Sequence, residues 1–520
     1  MKFKWIYTDI SEKPLLDQIK ISRKLDKDFF KEGLGNIHTL PKLKDIEKAS
    51  NRIIQAVSSQ EKMIIFGHDD LDGITSTFIL YDFLTKIGSK NHYYHIPNRF
   101  TENHGLQDNF IERVQNLNCS LVITVDGGIS SYDAVEKINN FGCDVIITDH
   151  HLIPKKLPKT LAIVNSKQIN CPFLFDQLAG VGVTYFLIVE MAKQLDIEIP
   201  SNYIFWVAVG TIADRVPLVN LNRNIVREMI KVWSKIDDET LDCFVKKYWK
   251  PDSLDSKYSL IRKIISVFNN GREKGGEHKA LQVLLAKDKQ KFKLLTDLAE
   301  QQIEQERVLK KTSEFIANIV PSELCSYYIY FDNNGEIPYN LLGYFASQIS
   351  GKYLIPTVFL KRKNGSIVCE ARCTEGFNLV ESFNFCQDYL VQYGGHVKAA
   401  GFSTKEEYLE GFISKFKEYI QINEQAILDN KIIKVDAVLD FFDPLKKKWL
   451  KDVNLNDLHP FGENNQIPNV LIKNVEYPKD FDELKLKQNG NIYQNNKLYN
   501  VVISMKQAEL TIIDYELNKT

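Results

Sequence analysis

MIIFGHDDLDGITST, residues 63–77, joins two kinds of patterning across a turn crowded with charge. Met63 to Gly67 form an apolar run of the length a buried strand needs, and from Ile74 onward the apolar spacing becomes helical. Between them stand His68, Asp69, Asp70 and Asp72, with three carboxylates inside four positions. Like charges this close repel unless something positive sits among them, so this turn is a candidate cation site.

The same alternation continues on either side. KMIIFG, HYYHI, SLVITV, CDVIIT and LAIVN read as strands. ITSTFILYDFLTKIG and SYDAVEKINNFG read as amphipathic helices, each with a glycine near its C-terminal end. Short apolar strands alternating with helices from about 62 to 215 predict an α/β fold built on a parallel sheet. In such a sheet the strands point one way, so residues just past their C-terminal ends converge on one crevice. After MIIFG come His68, Asp70 and Asp72; after LVITV comes Asp126; after DVIIT come Asp149, His150 and His151; Asp214 ends the apolar segment FWVAVGTIADRVPL. Asp69 is expected to point away, because neighbours on an extended chain alternate faces.

A single aspartate at a strand end is more often a helix N-cap, and a lone histidine is more often a satisfied core residue. Several such groups ending four segments of one predicted sheet favour a shared metal site. Hard oxygen ligands with one or two imidazoles suit Mn²⁺ or Mg²⁺ better than a structural zinc. We expect two such ions, with Asp126, alone on a central strand, as the bridging carboxylate.

The whole chain of 520 residues, 44% apolar, is long enough for several cores. Its 66 Lys and Arg nearly cancel 67 Asp and Glu, so any polyanion-binding surface must be local. Eight cysteines include no CxxC pair, which suits reduced thiols in a cytoplasmic protein. No run reaches the ~18 apolar residues of a membrane span. Residues 1–50 are expected to form an arm on the first core, 51–235 the parallel-sheet domain, 236–320 a helical connector ending in one long helix, 321–425 a smaller α/β domain, and 426–520 an OB-like β-barrel. The basic, aromatic KKKWLK (446–451) and the loop GREKGGEHK (271–279) are candidate nucleic-acid contacts, although a run like KKKWLK is more often a solvated helix face and the loop is similarly ambiguous.

FGHDDLDGITST, VDGGIS, TDHHLIP and GTIADRVPL, followed far downstream by YGGHVKAAGFS, resemble in order and spacing the motifs of the DHH/DHHA1 phosphoesterase superfamily. With LHPFGENNQIP in the tail, the order is most similar to the RecJ exonucleases of that superfamily. The resemblance implies a metal-dependent 5′-to-3′ exonuclease that hydrolyses single-stranded DNA to mononucleotides in repair and recombination, working beside a single-strand-binding protein and a helicase. It implies Asp70, Asp72, Asp126, His150 and Asp214 as ligands of two Mn²⁺ or Mg²⁺ ions and His151 facing the scissile phosphate. Asp149 would orient the histidines, while Gly394, Gly395, His396 and Arg372 would hold the substrate. Three positions depart from the pattern: His68 replaces a common Asp and is either a further ligand or a phosphate contact, Glu370 stands beside Arg372 in EARC, and Gln348 replaces a common Arg. Other readings are a related nuclease acting on RNA or short oligonucleotides, a cyclic-dinucleotide phosphodiesterase, and a non-catalytic replication scaffold.

Overall fold

The structure is a computed structural model describing residues 3–518 except 31–32, 36, 99, 103–104, 248–252, 273–276, 322–325, 364, 487–492 and 507–508. Cys325 and the middle of the GREKGGEHK loop therefore lie outside the described residues. The chain divides into two compact units. One comprises Leu25–Ile303 with Asn454–Ile467; the other comprises Met1–Lys24, Glu304–Val453 and Pro468–Thr520.

Strand β1 (Lys4–Ile6) belongs to the second unit and is described with it. The first unit is organised by β2 (Met63–Phe66), β3 (His92–His95), β4 (Leu121–Thr124), β5 (Asp144–Thr148) and β6 (Ala162–Val164). They form one sheet in the order β3-β2-β4-β5-β6, every pair parallel. The apolar strands are buried on both faces, and alternate residues serve different cores. Met63, Ile65, Leu121, Ile123 and Ile146 join a large cluster on one face, while Ile64, Phe66, Val122, Val145 and Ile147 join a smaller one on the other. The chain runs from β2 outward to β3, then returns past β2 to β4. The neighbouring ends of β2 and β4 are thus the point where winding reverses, the usual ligand crevice of open α/β sheets.

The larger core also takes in Leu241, Phe244, Ile264, Phe268, Leu281 and Leu298. Much of 236–320 is therefore packed into the first unit instead of forming a free connector. Only the helix Asp288–Ile319 runs on into the second unit, where Ile316 joins another core. The tail also contributes to the first unit: Arg223 Nη2 donates to the Asp457 carbonyl at 2.6 Å and the Tyr258 hydroxyl to the Phe461 carbonyl at 2.9 Å.

The second unit holds β7 (Tyr328–Asp332), β8 (Thr357–Lys363), β9 (Ser366–Arg372), β10 (Gln392–His396) and β11 (Ala399–Thr404), in the order β10-β11-β9-β8-β7. Only β7 and β8 are parallel. The helix Tyr339–Tyr353 packs on β8 and β9.

The tail strands β12 (Ile432–Lys434), β13 (Ala437–Asp440), β14 (Asn469–Tyr477), β15 (Lys497–Lys506) and β16 (Glu509–Leu517) were expected to close into a barrel. Instead β13-β14-β15-β16 is an open sheet, with β13 and β14 parallel and β13 not paired to β16 among the described residues. The N-terminal arm also differs from expectation. Residues up to Lys24 pack on the tail, with β1 parallel to β12, Gln18 Oε1 accepting from the Val438 amide at 2.8 Å, and Arg23 forked onto Asp436 by two 2.7 Å bonds. Among the described residues no helix is long and apolar enough to cross a membrane.

Candidate metal centre

His68, Asp70, Asp72, Asp126, Asp149, His150 and His151 follow closely on the C-terminal ends of β2, β4 and β5. After β2 the chain turns at once into the helix Leu71–Lys86, and a Cβ at Gly73 would lie 2.5 Å from the His68 carbonyl oxygen, so that turn requires glycine. Asp70 is the helix N-cap: its Oδ1 accepts from the Gly73 amide at 3.0 Å. Its Oδ2 lies 2.9 Å from His68 Nδ1. The N-cap reading of a strand-end aspartate and the ligand reading thus coexist in one side chain.

Asp72, in the helix's first turn and 1% exposed, accepts from the amides of Gly180 and Val181 at 2.6 and 2.7 Å. Those amides open the helix Gly180–Leu195, whose positive end favours a carboxylate there. Asp126 follows β4 with φ +55°, the left-handed region that Asp tolerates better than most residues. A Cβ at Gly180 would sit 2.6 Å from the Asp126 side chain, so that glycine lets the helix close against it.

Asp126 is 2% exposed and its two oxygens face different groups. Oδ1 is 3.1 Å from His150 Nε2, and Oδ2 is 3.8 Å from His68 Nδ1. His150 Nδ1 is 3.8 Å from Asp214 Oδ2 and its Nε2 is 4.0 Å from Asp72 Oδ2. Three overlapping groups result: His68, Asp70 and Asp126; Asp72, His150 and Asp214; Asp126, His150 and His151. Within each, one candidate ligand atom per residue lies within 4.8 Å of the others. Asp214 arrives from the C-cap of the helix Tyr203–Ala213, not from a strand end as the apolar run suggested.

Asp149 stands behind this cluster. Its Oδ1 accepts from the amides of His150 and His151 at 2.6 and 2.9 Å and lies 2.8 Å from His151 Nδ1, while its Oδ2 accepts from the Ile129 amide at 2.9 Å. Asp69 is tied to Arg272, whose Nε donates to its carbonyl at 3.1 Å and lies 3.3 Å from its Oδ2, while its Oδ1 is 4.0 Å from His68 Nε2. Sequence reasoning missed Lys167, whose ammonium donates to the His150 carbonyl, and Asn165, whose amide donates to the His151 carbonyl at 3.0 Å. It also missed the Gly180 and Val181 amides, although the glycines of LAGVGV were a usable signal for a close-packed helix start.

Four carboxylates, Asp70, Asp72, Asp126 and Asp214, crowd the cluster. Burial, then the charges of Asp214 and Asp70, pushes the Asp72 carboxyl well above the ordinary range, and burial with Asp72 and Asp70 does the same to Asp126. Asp214 is pushed up to about 6 by burial and by Asp70. Burial lowers His150 to about 4, leaving a neutral imidazole able to donate a lone pair. At His68, burial is outweighed by the bond to Asp70 and the value rises; His151 is raised chiefly by Asp149. Asp126 Oδ2 is buried without a hydrogen-bond partner. An oxygen-rich set with neutral imidazole and an unsatisfied buried carboxylate oxygen fits hard divalent cations.

Residues 62–211 match the DHH family, N-terminal domain. These residues are a DHH-family domain. Beyond the DHH domain, the chain is 31% identical over 442 residues to the single-stranded-DNA-specific exonuclease RecJ of Bacillus subtilis (strain 168), covering 83% of this chain and 54% of that relative. The chain thus spans about half the length of that relative. RecJ from Thermus thermophilus, in complex with Mn²⁺, has the same fold, with a TM-score of 0.70 at 20% identity over 100% of this chain and 80% of that one. An exonuclease RecJ bound to manganese aligns with a TM-score of 0.59 at 25% identity, over 75% of this chain and 98% of that one.

The candidate substrate residues lie on the second unit's sheet. Gly394, Gly395 and His396 belong to edge strand β10, paired antiparallel with β11, so YGGH is the arm of a hairpin. Gly395 has φ +138°, and a Cβ there would meet the Ala399 carbonyl oxygen at 2.5 Å. Arg372 Nη1 is 3.1 Å from Glu370 Oε2, and Gln348 is exposed on the helix Tyr339–Tyr353. In KKKWLK, Lys447 pairs with Asp480 and Lys451 with Glu483, both at 2.6 Å, which reduces the free charge of that surface. Cys369 and Cys373, the only closely spaced cysteines, are buried on and just after β9, with both thiols pushed up by burial.

Proposed function

We infer that the protein is a divalent-cation-dependent exonuclease of single-stranded DNA, entering at the 5′ end and releasing mononucleotides in repair and recombination. The observation that carries this reading is Asp126, whose two oxygens face two different ligand groups, as a carboxylate bridging two cations must. Support comes from the DHH domain and from the likeness to proteins named single-stranded-DNA-specific exonuclease. The manganese of the RecJ structure described above suits the same donor set.

Asp70, Asp126 and His68 would hold one Mn²⁺ or Mg²⁺, and Asp72, His150 and Asp214, with Asp126 shared, the other. When bound, such ions acidify a water molecule and neutralise charge that builds on the phosphoryl oxygens. The chain's own groups do the positioning. The Gly180 and Val181 amides fix Asp72, and Asp149 fixes the plane of His151. His151, 57% exposed at its side chain, is free to donate to a phosphate oxygen. His396, Arg372 and the bare backbone of Gly394 and Gly395 would hold the strand end, in a domain of the DHHA1 kind. A single-strand-binding protein and a helicase are the expected partners, in the cytoplasm.

The test uses the full chain with Mn²⁺ and single strands labelled at either end. The expected result is stepwise mononucleotide release from the 5′ end. Asp126→Ala should abolish release and the calorimetric signal of Mn²⁺ binding while far-ultraviolet dichroism stays native. Unchanged turnover in that variant would remove the bridging role.

A further inference from the structure

The face of the second sheet that carries Glu370 changes character from one edge to the other. At β8 it is apolar and covered: Phe359, in register with Glu370, is buried with Leu342, Phe345 and Ala346 of the helix Tyr339–Tyr353. Past β9 the face opens. Across β9, β11 and β10, Glu370, Gly401 and Gly394 share one row, and Arg372, Ala399 and His396 share the next. Because cross-strand partners point to the same face, the surface is a shallow trough. Its floor is glycine and alanine; Glu370 and Arg372 form one wall and exposed His396 the other. A Cβ at Gly394 would meet nothing within 4 Å, so the floor is open to an approaching ligand.

The wall is not a free cation. Arg372 Nη1 lies 3.1 Å from Glu370 Oε2 and donates to the Ala371 carbonyl at 2.8 Å. The other side of the guanidinium is pressed on the helix, where a Cβ at Gly343 would lie 2.6 Å from Nη2 and 3.2 Å from Glu370 Oε2. One arm of the fork that arginine would offer a phosphate, Nη1, is therefore already engaged, and the helix lies close against the other. A terminal phosphate monoester brings a charge of about −1.5 to −2 at neutral pH. Beside a carboxylate and an arginine already paired to it, that charge gains little. A hydroxyl loses nothing there: it donates to the Glu370 carboxylate and accepts from Arg372 or His396.

We propose that Glu370 makes this trough a reader of uncharged strand ends, selecting a 5′-hydroxyl terminus over a 5′-phosphate. The inference rests on the exonuclease reading for its substrate, single-stranded DNA, and adds the chemistry of the end that is accepted.

The experiment compares one short oligonucleotide made with a 5′-hydroxyl and with a 5′-phosphate. Cleavage by the full chain with Mn²⁺ is read as kcat/KM, and binding without metal is read by fluorescence anisotropy. The hydroxyl end should be favoured at least about threefold in both, and Glu370→Gln, which keeps size and hydrogen bonding but removes the charge, should move the ratio about tenfold toward the phosphate. Glu406→Gln, which removes an exposed charge paired to Arg362, should leave the ratio where it was. A wild-type preference for the phosphate end, or a ratio unmoved by Glu370→Gln, would overturn the proposal. Cleavage of neither strand would remove the exonuclease reading alone, because the anisotropy ratio still decides which end the trough takes.

Discussion

In the β2–β6 sheet every strand is parallel and cores lie on both faces, whereas in the β7–β11 sheet only β7 and β8 are parallel and one face, covered at β8, opens beyond β9. The first arrangement buries charge. Asp72 and Asp126 are 1% and 2% exposed, and amides at a helix start hold the former in place. The second leaves its polar groups half-exposed and pairs them with each other, as Arg372 does with Glu370. On the proposed function, the difference teaches a division of labour. Cation chemistry needs carboxylates kept from water and fixed by the backbone, while gripping and releasing a strand end needs a surface that ligand can reach.

The largest effect expected belongs to the buried sheet. Loss of the shared carboxylate in Asp126→Ala should lower kcat by more than about 10³-fold, since metal-site stabilisation amounts to several kcal/mol and each ~1.4 kcal/mol is a factor of ten. A fall under tenfold would erase the contrast between the two sheets. Next, Asp149→Asn should cost about 10- to 100-fold in activity or metal affinity, the usual effect of a group that orients a ligand. Steady-state rates over a Mn²⁺ series would measure it, and a change confined to KM for DNA would place Asp149 in substrate binding instead.

The pH dependence of metal binding sharpens the same comparison. Carboxyls raised above their usual range, Asp214 to about 6, take up protons in the metal-free protein as pH falls. Bound cations need them ionised, so Mn²⁺ affinity should fall as pH drops through about 6, with proton release on binding larger at pH 6 than at pH 8. Neutral His150, lowered to about 4, should add nothing to that release. Calorimetry in two buffers of different ionisation enthalpy counts the protons. The smallest effect is expected on the open sheet. His396→Ala should raise KM for single strands about fivefold, the worth of one hydrogen bond near 1 kcal/mol, with kcat nearly unchanged.

Much of the buried sheet was legible in advance because two periodicities meet there. Strands of four or five apolar residues, followed at once by Asp or His, pointed to a parallel sheet, and the convergence of His68, Asp70, Asp72, Asp126 and His150 followed from strand polarity. Asp214 came from a helix end because FWVAVG is apolar on every side, and a fully buried helix carries the same composition as a buried strand. The partners of Asp72 were not legible, since backbone amides leave no residue signature. The tail misled for a different reason. Its short alternating strands specify a sheet but not its closure, and β13 lies parallel to β14, a pairing that local patterning does not encode. The arm of residues 4–23 was assigned to the wrong partner because its contacts, Ile432 to Val438, lie more than four hundred positions away.

That last pairing ties the order of synthesis to assembly. Residues 4–6 find their parallel neighbour only after residue 434 has been made, roughly 20 to 90 s later at ribosomal rates of about 5–20 residues per second. Through that interval the segment waits without its strand partner while the DHH domain can already fold. A bulky fusion ahead of residue 4 should therefore hamper the late joining of the tail sheet more than the earlier chemistry-bearing core.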